Sequence, residues 1–250
     1  MMEGPHTVAA IMLETVVGTN GILVPPDGYL AGVRALCDQH GIVMICDEVM
    51  AGFGRCGEWF AVDQLEGDAR PHHVRQGLEL GLRPDRRRDH QARKIAETFT
   101  VTASSPAASP TPGTRSACAS VVASIGIFKE EKIVENARKL GTDVIGPELA
   151  KIAAKHPSVG EVRGLGVFWA IELVRNRKTR EPLVPFNASG ADAKPMAEVM
   201  TACKAGGVWP FAHFNRLQVT PPCTTTADEA REGLAAIDKA LEAADRYCAG

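Results

Sequence analysis

The stretch Ile42-Val43-Met44-Ile45-Cys46-Asp47-Glu48-Val49-Met50-Ala51-Gly52-Phe53-Gly54-Arg55 limits the fold more than any other part of the chain. It opens with five uncharged apolar residues, Ile42 to Cys46, without polar alternation. A strand of that kind needs cover on both faces, and such strands belong to parallel sheets flanked by helices. Asp47 then falls at the carboxyl end of the strand, where the loops of open α/β sheets diverge and leave a crevice for a ligand. An acidic residue there can equally cap a turn, and position alone does not separate the two roles.

A second apolar strand, Val8 to Leu13, ends in Glu14. After Gly18 and Gly21, the Pro25-Pro26-Asp27 start predicts a helix from about Asp27 to His40, stopped at Gly41. Its packing face would carry Leu30, Val33 and Leu36 or Cys37. Strand, helix, strand is a right-handed crossover that makes the two strands parallel. Glu14 and Asp47 are therefore expected at the same edge of one sheet. A Rossmann dinucleotide site fails the first test, because no G-x-G-x-x-G follows either strand. Gly52-Phe53-Gly54-Arg55 is too short for that fingerprint and contains no P-loop lysine.

Further on, Phe128 to Lys155 has the apolar spacing of a packing helix, interrupted at Gly146-Pro147. Val159 to Val174 reads as two strands with Arg163-Gly164-Leu165-Gly166 as a tight turn. The closing helix has a capping box, Thr226 with Glu229, and an apolar stripe at Ala230, Leu234, Ile237, Leu241 and Ala244.

Composition excludes several classes. With 250 residues, 45% hydrophobic and 23% charged, and a net charge of -2, the chain reads as soluble and globular, with one large or two ordinary domains. No apolar run approaches the roughly 20 residues of a spanning helix, and residues 1–7 lack the pattern of a signal peptide. The seven cysteines form no C-x-x-C pair, which predicts reduced thiols, a cytoplasmic location and no zinc site. Arg86-Arg87-Arg88 has no interleaved aromatic and the chain is slightly acidic, so nucleic-acid binding is not expected. His72 and His73 with Asp68 suggest a metal only weakly, since adjacent histidines in a loop have no supporting groups.

The segment Val8 to Asp63, with Glu14, Gly18, Gly21, Pro25-Pro26 and the run DEVMAGFGR from Asp47 to Arg55, resembles class III pyridoxal-phosphate aminotransferases, in particular the ω-amino acid or taurine:pyruvate branch. The resemblance resumes at Ala117-Cys118-Ala119-Ser120 and runs almost to the end. It implies that Asp47 pairs with the protonated pyridine nitrogen of the cofactor, which keeps the ring an electron sink. Val49 would pack on the ring and Glu14 would line the substrate pocket. Met50 stands near the ring where many relatives have glutamine, so a polar contact to the ring hydroxyl is in question. Arg216, after Asn215 and before Pro221-Pro222, could reach a substrate carboxylate or make a plain surface ion pair.

The family also places a lysine in an A-K-G turn after the D-E-V strand; it holds the cofactor as a Schiff base and shuttles a proton. This chain has no lysine before Lys94. Where the turn belongs, residues 70–93 hold seven arginines and three of the seven histidines, and Thr102 to Ser116 has the composition of a linker. Back-translating Gly67 to Gln91 and reading one base later gives VMPDLITFAKGLNSGYVPTGGVII, whose lysine codon overlaps Gln76. Back-translating Ala103 to Ser116 and reading two bases later gives VFPGGLTYSGHPL, the family's phosphate-contacting loop, whose threonine overlaps Pro110. Two compensated frameshifts explain both stretches, which are expected to be disordered.

The expected fold is therefore α/β: part of a fold-type-I large domain with a mostly parallel sheet at residues 1–126, then an interdomain helix and a small α+β domain at 127–250. The resemblance implies transfer of an amino group from an amine or ω-amino acid donor to a keto acid such as pyruvate, with pyridoxal 5'-phosphate as cofactor, in a cytoplasmic homodimer. It also implies a chain shorter at its amino end than the family. No general base is assigned. The alternatives are a non-catalytic remnant associated with an intact paralogue, and an unrelated α/β binding module.

Overall fold

The computed structural model describes residues 4–65 and 115–248. Gln76, Lys94, the whole of 70–93 and most of 102–116 lie outside the described residues, while Arg115 and Ser116 begin a helix.

Strands β1 (Ala10–Glu14) and β2 (Val43–Asp47) pair in parallel, with Ala10 opposite Val43 and Glu14 opposite Asp47. Helix α1 (Tyr29–His40) makes the crossover. It starts two residues later than expected because Gly28, at φ 78, turns the chain left-handed, and the Tyr29 N–H closes that turn on the Pro26 carbonyl. At the other end Gly41 takes φ 66 and donates to the Cys37 carbonyl, as a left-handed C-terminal cap should. The buried face of α1 is Leu30, Arg34 and Cys37; Leu36 points to solvent at 52% exposure.

Among the described residues, the cover expected on both faces of β2 is seen on one. Met44 and Cys46 are buried with Leu30, Cys37 and Val62, and Ile11 and Leu13 of β1 pack beside them. Residues opposite in register share a face. The other face therefore carries Met12, Ile45, Glu14 and Asp47, and Met12 stands 67% exposed.

A short helix α2 (Ala61–Leu65) closes the loop after β2. From Arg115 the chain forms α3 (Arg115–Glu130), α4 (Ile133–Leu140), one wide π turn (Gly141–Ile145) and α5 (Gly146–Lys155). The helix expected from Phe128 to Lys155 thus breaks at Glu131-Lys132, where Lys132 takes φ 53, and widens at 141–145, ahead of the expected Gly146-Pro147. The helix runs without a break from the π turn into α5, with Ile145 and Gly146 right-handed helical and Pro147 second in α5. The π turn lies where Gly141 meets the Gly166 carbonyl; an added Cβ on Gly141 would come within 2.2 Å of that oxygen.

The rest is an antiparallel sheet in the order β3-β4-β7-β6, with β5 on β4: β3 (Val159–Leu165), β4 (Phe168–Asn176), β5 (Glu181–Pro182), β6 (Phe211–His213) and β7 (Arg216–Val219). Arg163 and Gly164, expected in the turn, belong to β3, and the reversal is made by Gly166 at φ 54 with Val167. Helices α6 (Lys194–Ala205) and α7 (Ala227–Asp245) pack with α5 over this sheet, burying Ile171, Leu173 and Leu217 with Leu149, Val199 and Leu241. The capping box on α7 is present, and Ala230, Leu234, Ile237, Leu241 and Ala244 are all buried.

The two halves are joined through the loop after β2. The Val167 N–H donates to the Arg55 carbonyl at 3.0 Å, and the Arg55 guanidinium donates to the Pro221 carbonyl at 2.5 Å. Arg138 donates to the Gly57 carbonyl at 3.0 Å and pairs with Glu58 at 2.6 Å. Between them Val16, Ile22, Ala51, Cys56 and Ala61 form an apolar cluster with Phe168 and Ala170.

Candidate functional site

The strand register sets the site. Because Glu14 lies opposite Asp47, both carboxylates leave the same face at the carboxyl edge of the parallel pair. Each is oriented by one backbone donor. Asp47 Oδ1 accepts from the Val49 N–H at 2.9 Å, and Glu14 Oε2 accepts from the Gly18 N–H at 2.8 Å. Val49, 88% exposed, and Met50, 40% exposed, stand beside them as an open apolar ledge. Met50 packs over Gly18, where an added Cβ would come within 2.8 Å of the Met50 Cγ.

Glu48 turns the other way. Past the end of β2 the alternation continues, so Asp47 and Val49 face outward while the Glu48 carboxylate is buried at 6% exposure. Its Oε1 accepts from the Thr15 hydroxyl at 2.5 Å and the Val62 N–H at 3.0 Å, and its Oε2 accepts from the Ala61 N–H at 3.0 Å. Sequence reasoning passed over both Glu48 and Thr15. The available signal was a second acidic residue directly after one assigned to an open edge.

Arg216 comes from the antiparallel sheet to the same loop that Glu14 holds. It donates to the Asn20 carbonyl and lies 5.4 Å from the Phe214 ring centroid. None of the ion pairs found among the described residues involves it. Its Nε is buried without a partner. Arg163 donates to the Gly21 carbonyl at 2.9 Å and pairs with Glu172 at 2.7 Å. Gln218 donates to the carbonyls of Gly18 and Thr19 at 3.3 and 3.1 Å. Residues 18–21 are thus gripped by Glu14 from one half and by three side chains from the other. Gln218 and Arg163 were missed as well; a glutamine between the buried Leu217 and Val219 was the one local hint.

Burial pushes the Cys56 thiol up to about 12, with Glu48 adding to the rise, so Cys56 is not a nucleophile at neutral pH. Among the described residues no three His, Cys, Asp or Glu side chains group as metal ligands. None of their helices is long and apolar enough to cross a membrane. What the edge offers is a carboxylate acceptor oriented beside an exposed apolar side chain, a pair that fits a flat, protonated heteroaromatic ring held at its nitrogen.

The parallel strand pair and the antiparallel sheet with its helices are parts of a fold-type-I pyridoxal-phosphate transferase. Residues 2–241 match the family described as aminotransferase class-III, and the chain belongs to that family, whose cofactor is pyridoxal phosphate. It is 32% identical to the taurine--pyruvate aminotransferase of Bilophila wadsworthia (strain 3_1_6), over 95% of this chain and 53% of that one. With the 4-aminobutyrate aminotransferase GabT of Escherichia coli (strain K12) it shares 30% identity over 96% of this chain and 54% of that one. The solved structure of the taurine:2-oxoglutarate aminotransferase from Bifidobacterium kashiwanohense, in complex with PLP and glutamate, superposes with a TM-score of 0.77 and 33% identity, covering 98% of this chain and 54% of that one. The chain spans about half the length of these relatives.

Proposed function

We propose that this chain is a portion of an aminotransferase acting on an amine or ω-amino acid and a keto acid such as pyruvate, and that the sequence as it stands retains the ring-binding edge without the catalytic lysine. The observation that carries the reading is the register that sets Glu14 and Asp47 side by side on one sheet edge. Bound there, pyridoxal phosphate would supply an electron sink for loss of a proton from the amine-bearing carbon. Asp47, fixed by the Val49 N–H, would hold the proton on the ring nitrogen. Val49 and Met50 would lie against the ring and exclude water from it. Glu14 would line the amine pocket, and Arg216 would have to release the Asn20 carbonyl to meet a substrate carboxylate.

The missing group is a lysine: residues 4–65 contain none, and in the family's turn position the chain has Gln76. We attribute this to the two compensated frameshifts, and we place the domain division near residue 126, with an intact relative working as a cytoplasmic homodimer. Titration with pyridoxal phosphate tests the reading. Weak, reversible binding that Asp47→Asn abolishes supports it; binding indifferent to Asp47→Asn removes its basis.

A second reading is favoured by exposed apolar surface. Met12 and Val49, at the sheet edge, are 67% and 88% exposed, and Val122 on α3 is 71% exposed. A non-catalytic remnant that associates with an intact paralogue would cover them. Sedimentation of the purified chain with and without that paralogue separates the two: no shift leaves the remnant reading unsupported.

A further inference from the structure

The three hydrogen bonds to Glu48 tie two parts of the frame around the site to the residue after Asp47. Thr15 directly follows Glu14, Ala61 and Val62 close the loop that begins with Val49 and Met50, and Glu48 itself directly follows Asp47. The Thr15 N–H and hydroxyl also approach the Asp47 carbonyl at 3.4 and 3.5 Å, so one threonine bridges the ends of both strands. The turn beneath is tied to the same residue, since the Gly52 N–H donates to the Glu48 carbonyl at 2.9 Å. A buried carboxylate held by neutral donors loses much when one of them is removed, because its desolvation is no longer offset.

We propose that Glu48, acting through the Thr15 hydroxyl, is a positioning residue that fixes the spacing and orientation of Glu14 and Asp47 at the sheet edge. The purpose of that positioning rests on the reading of Asp47 as the ring-nitrogen partner; the geometry does not. Glu48 touches neither cofactor nor substrate in this account. It acts by holding the two strand ends and the start of the Val49 loop in one frame.

The experiment is residue-resolved amide exchange on the purified 250-residue protein and on Thr15→Val, Thr15→Ser and Glu48→Gln. The amides to watch are Val49, bonded to Asp47, and Gly18, bonded to Glu14. Their exchange should quicken roughly tenfold in Thr15→Val and Glu48→Gln. Thr15→Ser, which keeps the hydroxyl, should restore the original rates, and the interior of β2 should keep its protection in all three. If Glu48→Gln does not fold, the Thr15→Val and Thr15→Ser pair decides. Unchanged rates at Val49 and Gly18 overturn the proposal, and so does a loss of protection shared equally with the interior of β2, which would mark Glu48 as general support for the fold. A parallel pyridoxal phosphate titration followed at the Val49 amide keeps the two ideas apart. A shift that survives Asp47→Asn overturns the cofactor reading, while the exchange result still decides the role of Glu48.

Discussion

His156 shows what single residues contribute away from the site. It is buried at 1% exposure, with Nδ1 2.6 Å from Asp245 Oδ2 and Nε2 3.0 Å from Asp238 Oδ1. Ser158 adds its hydroxyl to Asp245 at 2.6 Å, and Lys155 pairs with Asp238. Burial opposes ionisation of both carboxylates, but the bonds from Ser158 and His156 to Asp245, and from Lys155 and His156 to Asp238, outweigh it and hold both below the usual range. Groups with depressed folded values contribute stability that is complete above their unfolded value of about 4 and is lost as pH falls through the folded values. The chain should therefore lose stability steeply below about pH 4, and Asp245→Asn should flatten that acid limb while costing about 2 kcal/mol at neutral pH. Urea melts between pH 2 and 7 measure both, and an acid limb unaltered by Asp245→Asn would contradict the assignment.

At the scale of elements, two substitutions have opposite lessons. Thr226→Ala removes one side of the capping box on α7 and should cost about 1 kcal/mol in a thermal melt. Gly141→Ala would ordinarily stabilise a helical position by roughly 1 kcal/mol. Here the added Cβ would meet the Gly166 carbonyl at 2.2 Å, so the sign should reverse to a loss of about 3 kcal/mol. The first of these was legible in the sequence, since a capping box and its apolar stripe are local patterns. So were the parallel pairing of β1 with β2 and the placement of Glu14 beside Asp47, because an unbroken apolar run and a helical crossover leave little freedom. The position of the π turn was not: it depends on an approach between Gly141 and Gly166, distant in the chain, and nothing near Gly141 announces it. The grip of Gln218 and Arg163 on residues 18–21 was hidden for the same reason. Each is a long-range contact made by a residue whose neighbours in sequence do not predict it.

At the scale of the whole molecule, the chain unites a parallel strand pair that carries Glu14 and Asp47 at one edge and a well-packed antiparallel sheet with its helices with a stretch, residues 70–93, that holds seven arginines and no lysine. The frameshift account makes a prediction on paper: the codons used at Arg75-Gln76-Gly77 must yield Ala-Lys-Gly when read one base later, and codons that cannot do so make the stretch native. On that proposal, replacing Gln76 by lysine in the present sequence should not produce activity, because the residues the family has around its lysine are absent here as well. A single general base is worth ~10²- to 10⁴-fold in rate, and the absent lysine would be both that base and the cofactor's covalent anchor. The direct test is to mix the purified 250-residue protein with pyridoxal phosphate, pyruvate and a panel of ω-amino acids, reduce with borohydride, map the peptides and assay alanine. The account predicts no alanine and no stoichiometric adduct at any one residue. A stoichiometric adduct on a single lysine, with Lys94 the first position to inspect, together with alanine formation would contradict it.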